Sequence, residues 1–266
     1  MTSPDALVRV ATARGVTTLT LDSPHNRNAL STPLMTQLLA GLADAVADDG
    51  VRVVVLDHAG PVFCSGADLK ETAAAYASGS VPAGMLGDVL AAVWECPKPV
   101  VARVAGPARA GGLGLIAAAD LAVCAEEATF AFTEVRIGVI PAVISATVLP
   151  RLSPRAAAEL YLTGDTFDGR RAAEIGLVTA AVPAEELDGA VERYCDSLVR
   201  GAPAALAGAK GLLRRPPATE LRAEAAELGA LSTGYFLSEE GREGVLAFRE
   251  KRSPRWVAAL EEDSAG

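Results

Sequence analysis

The chain has 266 residues, of which 50% are hydrophobic and 21% are charged, a balance that predicts a folded globular protein and excludes a disordered chain or a coiled coil. Its formal net charge is −9 and it contains no dense run of Lys or Arg, so we expect no nucleic-acid partner. The 4 cysteines are scattered without a CxxC pair and there are only 2 histidines, which predicts neither a metal site nor a disulfide framework.

Three features of the sequence predict where in the cell the protein is located. The N-terminal sequence MTSPDALVRVATARG lacks the charged-then-apolar pattern of a signal peptide. The apolar stretches around 110–119 and 137–149 are too short and too interrupted by Gly, Pro, Ser and Thr to span a bilayer, so we expect no membrane segment. Unpaired cysteines suit a reducing compartment. These features together predict a cytoplasmic protein.

Strand and helix patterns alternate in the first half of the chain. Two β-rich runs at 7–10 and 16–21 predict a hairpin, and they are followed by a helix pattern at 32–47. The uninterrupted Val/Leu run at 51–56 predicts a strand that is buried on both faces. The unit then recurs, with helices predicted near 83–95, 111–118 and 144–152 and strands at 99–104, 121–125 and 130–132. This recurrence resembles a solenoid more than a doubly wound sheet, although periodicity alone does not distinguish them.

Helix patterns dominate beyond about residue 154. One strand is predicted at 177–182, and helices are predicted at 154–162, 168–175, 184–200, 203–214, 217–237 and 240–250. We therefore expect an α/β core over 1–202 and a helical region over 203–266 that needs another surface to pack on.

Three segments place glycine or polar residues beside a predicted buried strand. The turn FCSGADLK at 63–70 exposes backbone N–H groups that could bind an anionic oxygen, although Asp68 is also a suitable helix N-cap. The glycine turn GPARAGGLG at 106–114 opens a helix and would let a ligand approach N–H groups closely, or simply let elements pack closely. It matches neither GxGxxG nor the lysine-containing P-loop, so a nucleotide site is excluded.

The third segment, 130–138, places the single carboxylate of Glu134 in largely apolar sequence. Desolvation there would raise its pKa and suit proton transfer, whereas a solvated or capping side chain is the more common role of one glutamate. The residues alone leave both interpretations open.

Taken in order, these segments resemble the crotonase (enoyl-CoA hydratase/isomerase) superfamily, and its bacterial enoyl-CoA and methylglutaconyl-CoA hydratase-like members in particular. The SGADLK turn, the AGPARAGG…AAAD block and the FTEVRIGVIP block occur in the family order, and LTG at 162–164, AAEIGLV at 172–178 and EGVLAFREKR at 243–252 match its C-terminal portion. The resemblance implies a crotonase-type spiral of ββα turns over 1–202. It also implies a helical oligomerisation region over 203–266, which makes a trimer or a dimer of trimers the expected assembly.

The resemblance further implies a substrate held as a coenzyme A thioester, so coenzyme A is part of the substrate and no separate cofactor is expected. The backbone N–H groups of Ser65 and Gly111 would form an oxyanion hole that polarises the thioester carbonyl, each donor typically being worth ~10²–10³ in rate. Backbone of two further segments would line the coenzyme A channel, and two C-terminal side chains would reach the coenzyme A of an adjacent subunit. The channel residues are Arg27, Asn28, Ala29, Gly66, Ala67 and Asp68, and the C-terminal pair is Phe248 and Lys251.

Hydratases of this family carry two glutamates, and this chain keeps one of them. Glu134 matches the second glutamate, while the first falls on Gly114. Two carboxylates orient a water for addition to a double bond, whereas one suffices to move a proton. The resemblance favours hydration of a 2-enoyl-CoA with Glu134 exchanging the proton at the α-carbon. Isomerisation or decarboxylation through the same enolate, and a catalytically silent acyl-CoA-binding subunit, remain alternatives.

Overall fold

The structure contains two β-sheets, and in the larger one the strands lie side by side in the order in which they occur along the chain. The computed structural model describes residues 6–68, 71, 83–215, 234 and 238–258. Its strands are β1 (Val8–Ala13), β2 (Val16–Leu21), β3 (Val53–His58), β4 (Val100–Val104), β5 (Ala108–Arg109), β6 (Leu121–Ala125), β7 (Thr129–Ala131), β8 (Phe167–Asp168) and β9 (Ala180–Val182). One sheet has the order β1-β2-β3-β4-β6-β9, and a smaller sheet has the order β5-β7-β8.

The main sheet advances in one direction and never reverses. β1 and β2 form an antiparallel hairpin, and every later pair from β2 to β9 is parallel. A doubly wound sheet reverses its strand order at a switch point, which is where such folds bind ligands. Because this sheet has no such reversal, the solenoid interpretation is the right one, and the crotonase-type α/β spiral is confirmed.

Helices lie between the parallel strands and after the last of them. They are α1 (Thr32–Ala47), α2 (Ala83–Glu95), α3 (Gly111–Ala118), α4 (Ala142–Val148), α5 (Pro154–Thr163), α6 (Gly169–Glu174), α7 (Leu187–Val199), α8 (Pro203–Leu212) and α9 (Glu239–Glu250). Short 3-10 turns occupy Pro24–Asn26, Thr133–Ile137 and Ala184–Glu186. Among the described helices, none combines the length and the apolar character that crossing a bilayer requires.

Apolar spacing fixes which face of a helix is buried. In α1 the buried residues Leu34, Leu38 and Leu42 recur at helical spacing and join the central core with β3, whose Val53, Val54 and neighbours are buried on both faces of the sheet. Ser31 begins α1, since its side chain accepts the Leu34 N–H. The helix therefore forms as the sequence predicts, and the strand that follows it lies two residues later than predicted.

Several boundaries differ from the prediction, and one predicted helix lies largely outside the described residues. The helix expected near 144–152 is α4, which begins at Ala142 and ends at Val148. Pro150 explains the early end, because a proline has no N–H to donate to a carbonyl of the preceding turn. The strand predicted at 177–182 is shortened to β9. Of the helix predicted at 217–237, only residue 234 is described.

A buried ion pair ties α8 to the core. The Lys210 Nζ lies 2.5 Å from the Asp120 Oδ2 and donates to the Lys98 carbonyl at 3.0 Å. Arg214 reaches the other Asp120 oxygen at 3.2 Å. Desolvation lowers the pKa of Lys210, and the Asp120 carboxylate opposes that shift. The beginning of the 203–266 region is thus anchored on the sheet, while the boundary at 202/203 and the oligomerisation role of this region stay predictions.

We predict that Asp120→Ala lowers the free energy of unfolding by about 3–5 kcal/mol, because it leaves the Lys210 ammonium buried without a counter-ion. Asp188→Ala is the matched control: Asp188 pairs with Arg103 at 2.6 Å, but its side chain is 75% exposed. Its loss should cost less than about 1 kcal/mol. Urea denaturation of both variants measures the difference, and equal costs would contradict the structural role of the Asp120–Lys210 pair.

Candidate active site

Two glycine turns touch at the centre of the candidate site. Gly66 has a φ of +94°, and a Cβ added to it would lie 3.0 Å from the Ala110 Cβ, 3.3 Å from the Arg109 carbonyl oxygen and 3.7 Å from the Gly111 nitrogen. A side chain at 66 would therefore be strained twice, by its backbone conformation and by its neighbours. The glycine allows the backbone of the 63–68 turn to approach the N-terminus of α3.

The 63–68 turn is held from its other side by the segment after the first 3-10 turn. Leu30 and Ala67 form an isolated parallel β-bridge, and the Leu30 N–H donates to the Gly66 carbonyl at 2.8 Å. The Ser65 N–H donates to the Arg27 carbonyl at 3.0 Å, and the Ser65 hydroxyl donates to the Asn26 carbonyl at 3.3 Å. The conformation of the turn is thus set by distant main-chain partners.

These bonds correct the assignment of the first oxyanion donor. The N–H of Ser65 is committed to Arg27 and is not free for a substrate oxygen. In the bridge with Leu30, the Ala67 N–H points away from the Leu30 backbone, and it makes no hydrogen bond to the described part of the chain. The prediction for Ser65 is therefore wrong, and Ala67, which we had placed only in the coenzyme A channel, carries the free donor of this turn.

The second predicted donor is where the sequence places it. Gly111 is the first residue of α3, so its N–H has no acceptor within the helix, and no acceptor is found among the other described residues. Ala110, which precedes it, has a φ of 47° and bends the chain into the helix. The N–H groups of Ala67 and Gly111 therefore form the pair of free donors between the two turns.

The small sheet brings Glu134 to the same turns. In β5 and β7, Arg109 pairs with Ala131, and the Ala110 N–H donates to the Ala131 carbonyl at 3.4 Å. Glu134 follows shortly after Ala131 in the 3-10 turn Thr133–Ile137. Strand pairing therefore brings the backbone just before the Glu134 turn next to the residue that precedes α3.

Glu134 has the electrostatic character expected of a proton-transfer group. Its Oε2 is buried and has no hydrogen-bond partner among the described atoms. Desolvation raises the pKa of the carboxyl above its ordinary value, and a hydrogen bond from its own backbone N–H opposes the shift. A buried carboxylate oxygen without a hydrogen bond is costly to keep, so this arrangement favours the interpretation of a desolvated acid–base group over that of a solvated side chain.

No room exists for a second carboxylate at 114. A Cβ added to Gly114 would lie 2.7 Å from the Ile144 Cγ2, 3.1 Å from the Ile144 Cβ and 3.2 Å from the Leu90 Cδ1. The Thr147 hydroxyl donates to the Gly114 carbonyl at 3.1 Å and holds α4 against α3. The apolar packing of α4 and α2 thus occupies the space that a glutamate side chain would need.

Among the residues predicted to line the coenzyme A channel, Asn28 has a side chain that is fully used in hydrogen bonds within the protein. Asn28 is completely buried, and its side chain accepts the Ser23 N–H at 2.7 Å and donates to the carbonyls of Ala59 and Val62 at 3.0 and 2.8 Å. That side chain ties three loop segments together and is not free to bind a ligand. Arg27 is exposed and Ala29 is buried.

Asp68 acts locally as a cap. Its Oδ1 accepts the Glu71 N–H at 3.3 Å, as the N-cap interpretation expects, and its Oδ2 accepts the Asn26 amide at 3.3 Å. The side chain of Phe248 lies outside the described residues, while Lys251 is exposed and has a φ of 54°. The contacts of both residues with coenzyme A stay predictions.

Sequence reasoning missed the residues whose importance arises from long-range contacts. Ala67 looks like an ordinary turn residue until its bridge to Leu30 is known. Ile144 reads as one more apolar position of a helix, although it fills the space next to Gly114. The signal that could have found Ile144 was the glycine at 114, since a glycine inside a helix often marks close packing.

Comparisons with known proteins find relatives that match most of the chain. The family model described as enoyl-CoA hydratase/isomerase matches residues 11–259. An enoyl-CoA hydratase structure from Mycobacterium avium is 47% identical, with a TM-score of 0.72 and coverage of 94% of this chain and 99% of that one. An enoyl-CoA hydratase structure from Mycobacterium smegmatis is 34% identical, with a TM-score of 0.86 and coverage of 94% and 99%. The carnitinyl-CoA dehydratase of Proteus mirabilis is 33% identical over 79% of this chain and 82% of its own length.

We predict that Gly66→Ala lowers kcat by about 10²–10³, because the added Cβ would push the Ala67 donor away from Gly111. Gly15→Ala is the control: Gly15 has a similar φ of 74° but lies in the β1–β2 hairpin. Steady-state kinetics and thermal denaturation of both variants separate a lost donor from general strain. A Gly66→Ala variant with the wild-type kcat would show that the approach of the two turns does not matter for turnover.

Proposed function

The chain belongs to the enoyl-CoA hydratase/isomerase family, and we propose that it adds water to a 2-enoyl-CoA thioester, with Glu134 as its acid–base group. The observation that carries this proposal is the buried Glu134 Oε2, which has no hydrogen-bond partner among the described atoms, in a turn that follows the strand paired beside the start of α3. A thioester carbonyl that accepts hydrogen bonds from Ala67 and Gly111 becomes more electrophilic at its conjugated β-carbon. Negative charge that develops on the carbonyl oxygen is stabilised by donors that need no rearrangement.

The path of the transferred proton depends on the protonation state of the Glu134 carboxyl. As water attacks the β-carbon, the Glu134 carboxylate accepts a water proton, and the electron pair of the double bond moves to the thioester oxygen as an enolate. The protonated carboxyl then donates to the α-carbon, which restores the carbonyl and the carboxylate. A raised pKa suits both halves of this exchange because it brings the two protonation states closer in free energy at neutral pH.

The names of two relatives are consistent with the addition or removal of water at a coenzyme A thioester. The Mycobacterium smegmatis structure is described as an enoyl-CoA hydratase, and the Proteus mirabilis relative is named as a carnitinyl-CoA dehydratase, whose reaction is the reverse of a hydration. Coenzyme A would enter as part of the substrate, with no separate cofactor. We also propose that the protein assembles as a trimer or a dimer of trimers, since α9 exposes Val245 at 47% and Leu246 at 44%. The proposed location is the cytoplasm.

Isomerisation of the double bond is the second candidate, and the wall at Gly114 favours it. With Ile144 in place of a second carboxylate, the protein presents no second group at this position to orient water. Glu134 would then remove a proton on one side of the enolate and return it on the other. The catalytically silent binder is less consistent with the structure, because binding an acyl-CoA without reaction does not require a desolvated carboxyl.

The experiment that separates these functions follows two substrates. Purified protein should consume crotonyl-CoA, seen as loss of the conjugated-enone absorbance, and chromatography should identify a 3-hydroxyacyl-CoA product. Conversion of a 3-enoyl-CoA to the conjugated isomer, with crotonyl-CoA unchanged, would establish the isomerase instead. Turnover of neither substrate would support the silent binder.

We predict that Glu134→Gln lowers kcat by roughly 10²–10⁴ with little change in KM, because the amide keeps the size of the side chain but cannot exchange a proton. Glu127→Gln, at an exposed position that precedes β7, is the control and should leave kcat unchanged. In the dehydration direction, which uses the carboxylate first, wild-type kcat/KM should fall as the pH drops through an apparent pKa above that of an ordinary glutamate.

The melting temperature of Glu134→Gln tests the raised pKa of the carboxyl independently of turnover. A carboxyl whose pKa is raised on folding costs stability once the pH exceeds its unfolded value, so removing the charge should hold or slightly raise the melting temperature at neutral pH. A clearly lower melting temperature together with wild-type kcat would show that Glu134 is structural and would overturn the assignment.

A further inference from the structure

The turn that carries Glu134 is fastened to α5 on both sides of the carboxylate. On one side, the Phe132 ring packs against the Tyr161 ring with centroids 4.6 Å apart. On the other side, the Arg136 Nε donates to the Gly164 carbonyl at 3.1 Å and the Arg136 Nη2 lies 2.5 Å from the Asp165 Oδ1. One contact before Glu134 and one after it therefore hold the short 3-10 segment against α5 and the residues that follow it.

Gly164 makes this close approach possible. It ends α5 in the left-handed conformation with a φ of +62°, and a Cβ added to it would lie 3.1 Å from both the Phe132 carbonyl oxygen and the Arg136 Nε. A side chain here would push on the backbone two residues before Glu134 and on the arginine two residues after it. The glycine thus serves the contact between the helix end and the turn as well as the helix cap.

From these contacts we infer that Arg136 is a positioning residue for Glu134, which it holds in place by clamping the 3-10 turn to Gly164 and Asp165. This inference rests on the proposed function of Glu134. The planar guanidinium reaches acceptors on two adjacent residues, which a single ammonium cannot match. Its action is geometric, because the Arg136 charge is not among the causes of the shift in the pKa of Glu134.

The exposure of the pair argues against a role limited to stability. The side chains of Arg136 and Asp165 are 56% and 64% exposed, and ion pairs this exposed contribute little to folding. Loss of Arg136 should therefore leave the fold intact while the carboxylate loses its fixed position. Among the titratable groups near Glu134 is Tyr161 on α5. Desolvation raises the pKa of its phenol, a hydrogen bond with Ser145 opposes that shift, and the charge of Glu134 adds to it.

The test compares Arg136→Met and Arg136→Lys with a matched control. Arg170→Met removes another exposed arginine, which pairs with Glu126 away from the Glu134 turn. Misplacement of a catalytic group by about 1 Å costs roughly 10² in rate, so we expect kcat of Arg136→Met to fall by about 10–10², with KM within about twofold of the wild type. Arg136→Lys should recover part of the loss by keeping one of the two bonds, and Arg170→Met should retain full activity.

A second readout does not depend on turnover. Infrared titration, with Glu134→Gln as the difference reference, follows the protonated carboxyl band of Glu134 directly. A loosened turn admits water, so the pKa of Glu134 should move down toward its ordinary value in Arg136→Met and stay unchanged in Arg170→Met. If the wild-type protein turns over no enoyl-CoA, the proposed function fails while this titration still decides the clamp. Unchanged titration of Arg136→Met, or equal kinetic losses in Arg136→Met and Arg170→Met, would overturn the inference.

Discussion

The close approach of two backbone turns is the constraint on which the site depends. Gly66 brings the 63–68 turn against the start of α3, and any side chain at 66 would meet Ala110 and the Arg109 carbonyl. The N–H groups of Ala67 and Gly111 there have no acceptor among the described residues. The spiral supports this close approach by delivering both turns from neighbouring parallel strands, β3 and β4, whose carboxyl ends lie at the same edge of the sheet.

The regular part of the fold could be predicted because apolar periodicity determines it. The helices at 32–47, 83–95 and 111–118 begin and end where the pattern predicts. The two-residue strands β5 and β8 could not be predicted, because so short a segment has no period and exists only through pairing with β7. The 3-10 turn of Glu134 was missed for a similar reason, since its shape is imposed by contacts with α5.

The site shows the same division between local and distant causes. Glu134 and Gly111 could be identified from motifs, since residue type and glycine spacing suffice for them. The choice between Ser65 and Ala67 could not, because it depends on which N–H the Arg27 carbonyl takes. The apolar wall at Gly114 likewise depends on Ile144, which is remote in sequence. One carboxylate, two main-chain donors and an apolar wall are the features on which the proposed chemistry of a single proton and a thioester enolate rests.

The most direct test of this account is the carbonyl stretch of a bound substrate. Isotope-edited infrared spectroscopy of [1-¹³C]crotonyl-CoA bound to Glu134→Gln protein reports the thioester carbonyl without consuming the substrate. Donors aimed at that oxygen weaken the C=O bond, so the account predicts a band at clearly lower frequency than that of the free thioester. A bound thioester whose carbonyl band stays at the solution frequency would contradict the central claim that Ala67 and Gly111 form an oxyanion hole.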